Sequence, residues 1–174
     1  MTSNAGAGTR ILGSLRSEDG KGVVRMEDRY DTDIDDLWSA LTDPGRLARW
    51  LGEFEGDLRL GGDFRARFFA SGWEGTGRVE ACEPPHRLLV LTAGDHAPDE
   101  EHAIEAWLTA DGGQTILVLE ERGMPLGQVA DYGAGIQVHV EDLAAHIAGG
   151  ERCDADARWN ELKPAYQDLA QDIG

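Results

Sequence analysis

The chain is 174 residues long and 41% of it is hydrophobic, enough for one domain with a real core and too little for two. Its 33 Asp and Glu against 16 Lys and Arg give a formal charge of -17. Such a surface repels phosphate backbones and anionic headgroups, so nucleic acid is not an expected partner. No apolar run approaches the roughly 20 residues of a membrane span, and residues 1–9 are small and polar rather than signal-like, which predicts a cytoplasmic protein with no membrane partner.

In chain order, residues 1–9 read as a disordered tail. Arg10 to Ser17 and Val23 to Tyr30 form strand-like runs about a Gly20-Lys21-Gly22 turn. Thr32 or Asp33 can cap a helix that places Ile34, Leu37, Trp38 and Leu41 on one face, with Asp35 and Asp36 suiting the first turn. Pro44 then restarts a helix in which Leu47, Trp50 and Leu51 continue the apolar stripe, and Gly52 ends it.

Four or five strands of an antiparallel meander are expected next. Phe64, Ala66 and Phe68 alternate with Asp63, Arg65 and Arg67; Ile104, Ala106 and Leu108 alternate with Glu105 and Trp107; Thr115, Leu117, Leu119 and Glu121 alternate with Ile116, Val118 and Glu120. One dominant apolar face follows. Pro84-Pro85 and Asp111-Gly112-Gly113 mark turns, and the acidic run Asp95 to Glu101 reads as a solvated loop.

From Gln128 to Ile147 the period becomes helical, with Tyr132, Ile136, His139 or Val140, Leu143 and Ile147 on one face and Gly149-Gly150 as the stop. This helix covers the sheet. Gly133 and Gly135 each cost about 1 kcal/mol within it, which implies a close approach or retained space on the sheet side. Trp159, Leu162, Tyr166, Leu169 and Ile173 give a last helix with Pro164 as a kink or restart.

Several motifs in order, Leu37 to Pro44, Leu47 to Leu51, Leu60 to Phe64, Cys82 to Leu88, Gly113 to Leu119 and His139 to Leu143, carry a resemblance over residues 23–149. The chain resembles the bacterial relatives of the heat-shock-protein-90 ATPase activator domain, within the START-like, helix-grip superfamily. The resemblance implies an α+β fold of the START/Bet v-like kind: a curved antiparallel sheet wrapped around a long C-terminal helix, with two short helices after the first strand. Residues 10–150 would form that domain and 151–174 a helical extension packed on it. Between sheet and helix the resemblance implies a cavity that holds hydrophobic small molecules in related families. Superfamily members include lipid carriers, polyketide cyclases and aromatases, antibiotic self-resistance proteins and the chaperone activator. Ile136 stands where the family often has tryptophan, and Glu121 where a histidine often ends the strand.

The expected ligand-binding residues are Trp50, Phe54, Phe64, Phe68, Trp73, Glu121, Met124, Tyr132, Ile136 and His139. A pocket is mostly apolar wall with a few placed polar groups, and core packing is the bland alternative for every aromatic in the set. Glu121 shares a face with Leu117 and Leu119, where a carboxylate in apolar surroundings would have its pKa raised. His139 lies on the grip face with Tyr132 and Ile136 and can orient a carbonyl; a hydrogen-bonded structural histidine is its alternative. Trp107, on the opposite parity, would suit a homodimer contact if exposed. His139 and His146 lie about 10 Å apart along a helix, too far to share a metal. Cys82 and Cys153 lack CxxC or CxxH spacing, and no nucleophile elbow, P-loop or dinucleotide fingerprint occurs. Hence no cofactor, metal or catalytic set is expected. The leading expectation is a protein that binds a hydrophobic or aromatic small molecule, for sequestration or self-resistance. The alternatives are a polyketide cyclase or aromatase-like enzyme using Glu121, His139 and Tyr132, and a co-chaperone with a chaperone partner.

Overall fold

The computed structural model describes residues 10–173; the tail expected over residues 1–9 lies outside the described residues. The chain enters through a hairpin, β1 (Gly13–Glu18) and β2 (Lys21–Tyr30). It turns at Asp19-Gly20 rather than over Gly20 to Gly22. Both turn residues have positive φ, 54° and 80°, the backbone of a two-residue turn whose twist matches that of the strands. Lys21 therefore already pairs with Glu18.

Two short helices, α1 (Ile34–Thr42) and α2 (Pro44–Trp50), follow the second strand rather than the first, because the hairpin precedes them. Asp33 is the cap of α1: its carboxylate accepts from the Asp36 amide at 2.8 Å. Pro44 opens α2 at a position where its missing N–H costs nothing. The two helices are fastened by the buried Trp50, whose indole N–H donates to the Ala40 carbonyl at 2.9 Å. Gly52 does not stop α2; it is the first residue of β3 (Gly52–Gly56). A Cβ there would meet the Arg67 carbonyl oxygen at 2.2 Å, so the strand pairing requires glycine.

Six strands follow the short helices, not four or five: β3, β4 (Asp63–Phe68), β5 (Glu74–Glu83), β6 (Arg87–Gly94), β7 (Glu101–Asp111) and β8 (Gln114–Pro125). With the hairpin they form one antiparallel sheet of eight, ordered β1-β2-β8-β7-β6-β5-β4-β3. The expected alternation holds where it was legible. Ala106 and Leu108 on β7 and Thr115 and Leu117 on β8 are buried. Trp107, on the other face, is half-buried. The acidic run is a loop only to Glu100; Glu101 starts β7.

Helix α3 (Val129–Ile147) lies across the concave face and α4 (Ala155–Gln171) packs on α3 and β1. Helix α4 runs through Pro164 without a break. The close approach at Gly133 is to α4, not to the sheet: a Cβ there would meet the Tyr166 ring at 2.5 Å. Tyr166 is fully buried. Its hydroxyl donates to Gln137 Oε1 and accepts from the Gly13 amide at 3.1 Å. The Gln137 amide also receives Leu12 N–H at 3.0 Å and donates to the Arg10 carbonyl at 2.7 Å. Three segments, residues 10–13, α3 and α4, thus share one satisfied polar knot, where an unpaired group would cost about 1–3 kcal/mol. Among the described residues no helix is long and apolar enough to cross a membrane.

The two helical glycines should respond to alanine with opposite signs. Gly133→Ala is expected to lower unfolding free energy by roughly 1–3 kcal/mol, overpacking against Tyr166 outweighing the gain in helix propensity. At Gly135 a Cβ would first meet Trp159 at 3.9 Å, so Gly135→Ala should be neutral or stabilise by up to about 1 kcal/mol. Urea denaturation of the two variants measures both.

Candidate functional site

The sheet curves away from α3 and leaves two adjoining cavities. The inner one, about 160 Å³, is walled almost wholly by carbon from α2, the concave sheet face and α3, including Trp50, Phe54, Phe64, Leu117 and Val140. The outer one, about 650 Å³, opens between the β4–β5 and β6–β7 loops, α3 and the first turn of α4. Phe68, Trp73, Glu121, Ile136 and His139 border both. The aromatic rings form a chain along this boundary. Phe54 lies 5.7 Å from Phe64 and 6.1 Å from Phe68, Phe68 lies 4.8 Å from Trp73, and its ring meets His139 edge-on at 5.4 Å.

Of the residues singled out from sequence, Trp50, Phe54 and Phe64 line the inner cavity, Tyr132 the outer, and the five boundary residues both. Met124 lines neither. It is wholly buried and its sulfur packs where Gly22 leaves room, beside Val129. The bulge at Gly123 of β8, opposite Gly22 and Val23, shifts the register of β2 on β8, and the end of β8 is thereby taken up at the hairpin.

Glu121 is not an isolated carboxylate in an apolar pocket. Its Oε2 lies 2.7 Å from Nδ1 of His102, and Nε2 of the same ring lies 2.8 Å from Glu100. With a carboxylate at each nitrogen, the ring that satisfies both is the imidazolium. Burial alone would lower its pKa, but hydrogen bonds and charge from Glu121 and then Glu100 prevail and raise it above the ordinary 6.5. The Tyr132 ring stands edge-on to His102 at 5.2 Å. Its phenol is pushed up to about 12, chiefly by burial and then by the charges of Glu121 and Glu100.

His139 is the opposite case. Its Nδ1 is buried without a hydrogen-bond partner, and burial lowers its pKa to about 4. Of the three histidines that border the outer cavity, His96, His102 and His139, Glu121 bonds His102, not His139 as an acid–base pairing of Glu121 and His139 would require. Two residues outside the expected set, His102 and Trp159, also border the outer cavity. His102 was within reach: it has the same parity on β7 as Ile104, Ala106 and Leu108, one step further back. Trp159 gave no signal beyond its place in an apolar stripe.

The two histidines act on stability with opposite signs. His139 resists protonation, so its contribution is complete above 6.5 and is lost as pH falls from there toward about 4. His102 favours protonation, so its contribution is complete below 6.5 and fades as pH rises through its raised value. His139→Leu should abolish an acid-side loss of up to about 3 kcal/mol. Denaturation of both proteins across the acid range checks this, and histidine ring spectra should show His139 neutral at a pH of about 5 while His102 is charged.

Comparison with known proteins agrees with this architecture. The crystal structure of CalU16 from Micromonospora echinospora superposes with a TM-score of 0.76 at 29% identity, covering 93% of this chain and 98% of that one. DynU16, described as a protein of the dynemicin biosynthetic locus, superposes with a TM-score of 0.69 at 28% identity, covering 79% of this chain and 51% of its own. A conserved protein from Enterococcus faecalis shares the fold at 19% identity, with a TM-score of 0.70 over 93% of this chain and 92% of that one. No curated protein sequence matches the chain. The family described as activator of Hsp90 ATPase homolog 1-like protein matches residues 31–148, which spans α1 to the end of α3 and every cavity-lining strand; the chain belongs to that family.

Proposed function

We propose that the protein binds a hydrophobic, aromatic small molecule in the paired cavities between the sheet and α3. One observation carries the reading: unfilled volume of about 160 and 650 Å³ on either side of a continuous row of aromatic rings. A carbon-walled recess that continues into an open cleft with a few placed polar groups has the make-up of a small-molecule site. These rings pack on one another at 4.8 to 6.1 Å and together offer an aromatic wall to a flat guest. On this reading Trp50, Phe54, Phe64, Phe68 and Trp73 hold the body of the ligand, and Glu121, Tyr132, Ile136 and His139 meet it at the boundary. Residues 10–150 form the ligand-holding domain, and 151–174 an extension that completes its rim.

The purpose we assign is sequestration. The likeness to DynU16, with its place in the dynemicin biosynthetic locus, supports a bioactive metabolite as the cargo and self-protection as the outcome. His139, buried with no partner at Nδ1, offers the ligand a hydrogen bond.

The test is a binding titration with anthracenemethanol, a neutral tricyclic probe. Saturable ring-proton shifts are expected at Phe68, Trp73 and His139. Ile136→Trp should abolish them with the backbone spectrum otherwise preserved, because the larger side chain fills the boundary between the cavities. Wild-type protein that shows no saturation, with this probe or with larger fused aromatics, would refute the reading.

A further inference from the structure

We infer that the ligand is a cationic amphiphile, its aromatic body seated in the inner cavity and a protonated amine held against Glu100 and Glu121 in the outer one. The inference rests on the small-molecule reading above and adds the charge of the guest. Among the described residues six carboxylates border the outer cavity, Glu74, Asp95, Glu100, Glu121, Asp131 and Asp156, with three histidines, His96, His102 and His139, and no lysine or arginine. Asp95 is answered from outside the lining by Arg65, and Asp131 by Lys163 at 3.6 Å. Among the described residues Glu74 and Asp156 make no ion pair.

The decisive group lies at the inner edge. Glu100 and Glu121 share one histidine, at 2.8 and 2.7 Å from its two nitrogens. Even with His102 fully protonated, the three side chains together carry one net negative charge. Their surroundings hydrate it poorly: the carboxylate side chains are only 26% and 13% exposed. A partly desolvated anionic charge is costly until a counter-charge meets it. An ammonium entering between Trp73, Tyr132 and this trio exchanges water for a carboxylate oxygen and aromatic faces, both favourable to a cation.

His139 gives an independent sign of a guest. It stands on the wall of both cavities, its Nδ1 is enclosed without a partner, and as a neutral ring it adds no positive charge to offset the carboxylates. With nothing to accept a bond from Nδ1, the single imidazole proton is better placed on Nε2, where a ligand oxygen can accept it. The same wall disfavours a fatty acid, whose carboxylate would face carboxylates with no arginine or lysine to receive it.

The test uses three probes on one ring system: aminomethylanthracene, anthracenemethanol and anthracenecarboxylate, titrated into the whole protein by fluorescence. The ammonium is expected to bind about tenfold or more tighter than the alcohol, and the carboxylate weakest. The preference should shrink as salt rises, which needs no variant. Glu100→Gln and Glu121→Gln should each cut the ammonium-to-alcohol ratio to about threefold or less, with folding checked by amide spectra. If all three probes bind alike, or the carboxylate binds best, the charge assignment falls while the binding reading stands. If none binds, both fall.

Discussion

The position of α3 depends on a side-chain amide. Gln137 is wholly buried, and its oxygen and nitrogen tie α3 to the strand leading into β1 and, through Tyr166, to α4. A buried amide tolerates little displacement, because each lost partner leaves a polar group without water. Gly133 brings the Tyr166 ring against the backbone of α3, and Arg158 forks onto Glu141 at 2.7 and 2.8 Å one turn further on. Helix α3 is thus secured on its outer side. On the sheet side Tyr30 of β2 donates to the Val140 carbonyl at 3.3 Å, while Ile136, His139 and Val140 border the inner cavity.

Charge is distributed in keeping with that division. The inner cavity is carbon; the outer one carries acidic groups whose pairing differs from residue to residue. His102 and His139 show how one side-chain type takes two states a short distance apart. Carboxylates at both nitrogens hold the first as a cation, and enclosure without an acceptor holds the second neutral. Neither state follows from residue identity, and both follow from what borders each ring.

What the sequence revealed was whatever is written locally. Asp33 before Ile34, and Pro44 after Asp43, announce the starts of two helices, and simple alternation fixes the inward parity of β4, β7 and β8. Phe64 and Phe68 followed from that parity, and nine of the ten expected wall residues border a cavity. Contacts between distant segments were not legible. Gly133 looked like slack toward the sheet because nothing local ties it to Tyr166, thirty-three residues on. Gly52 resembled a helix stop because its clash with Arg67 arises only once β3 and β4 pair. Met124 has the apolarity of a lining residue, but the bulge at Gly123 of β8 shifts the register that would have placed it. His102 shares a parity already recognised on β7, hidden by the acidic stretch before it.

Helix α4 gives the site a temporal dimension. Ala155, Asp156 and Trp159 in its first turns border the outer cavity, and that end of the helix is held by the Asp154 cap on Ala157 at 3.2 Å and by Asp142, which accepts from the Cys153 amide at 2.9 Å. For the guest proposed above, this turn would form one edge of the exit, beside the β4–β5 and β6–β7 loops, and fraying of α4 at Asp154, a local event on its own energy scale, would set part of its residence time.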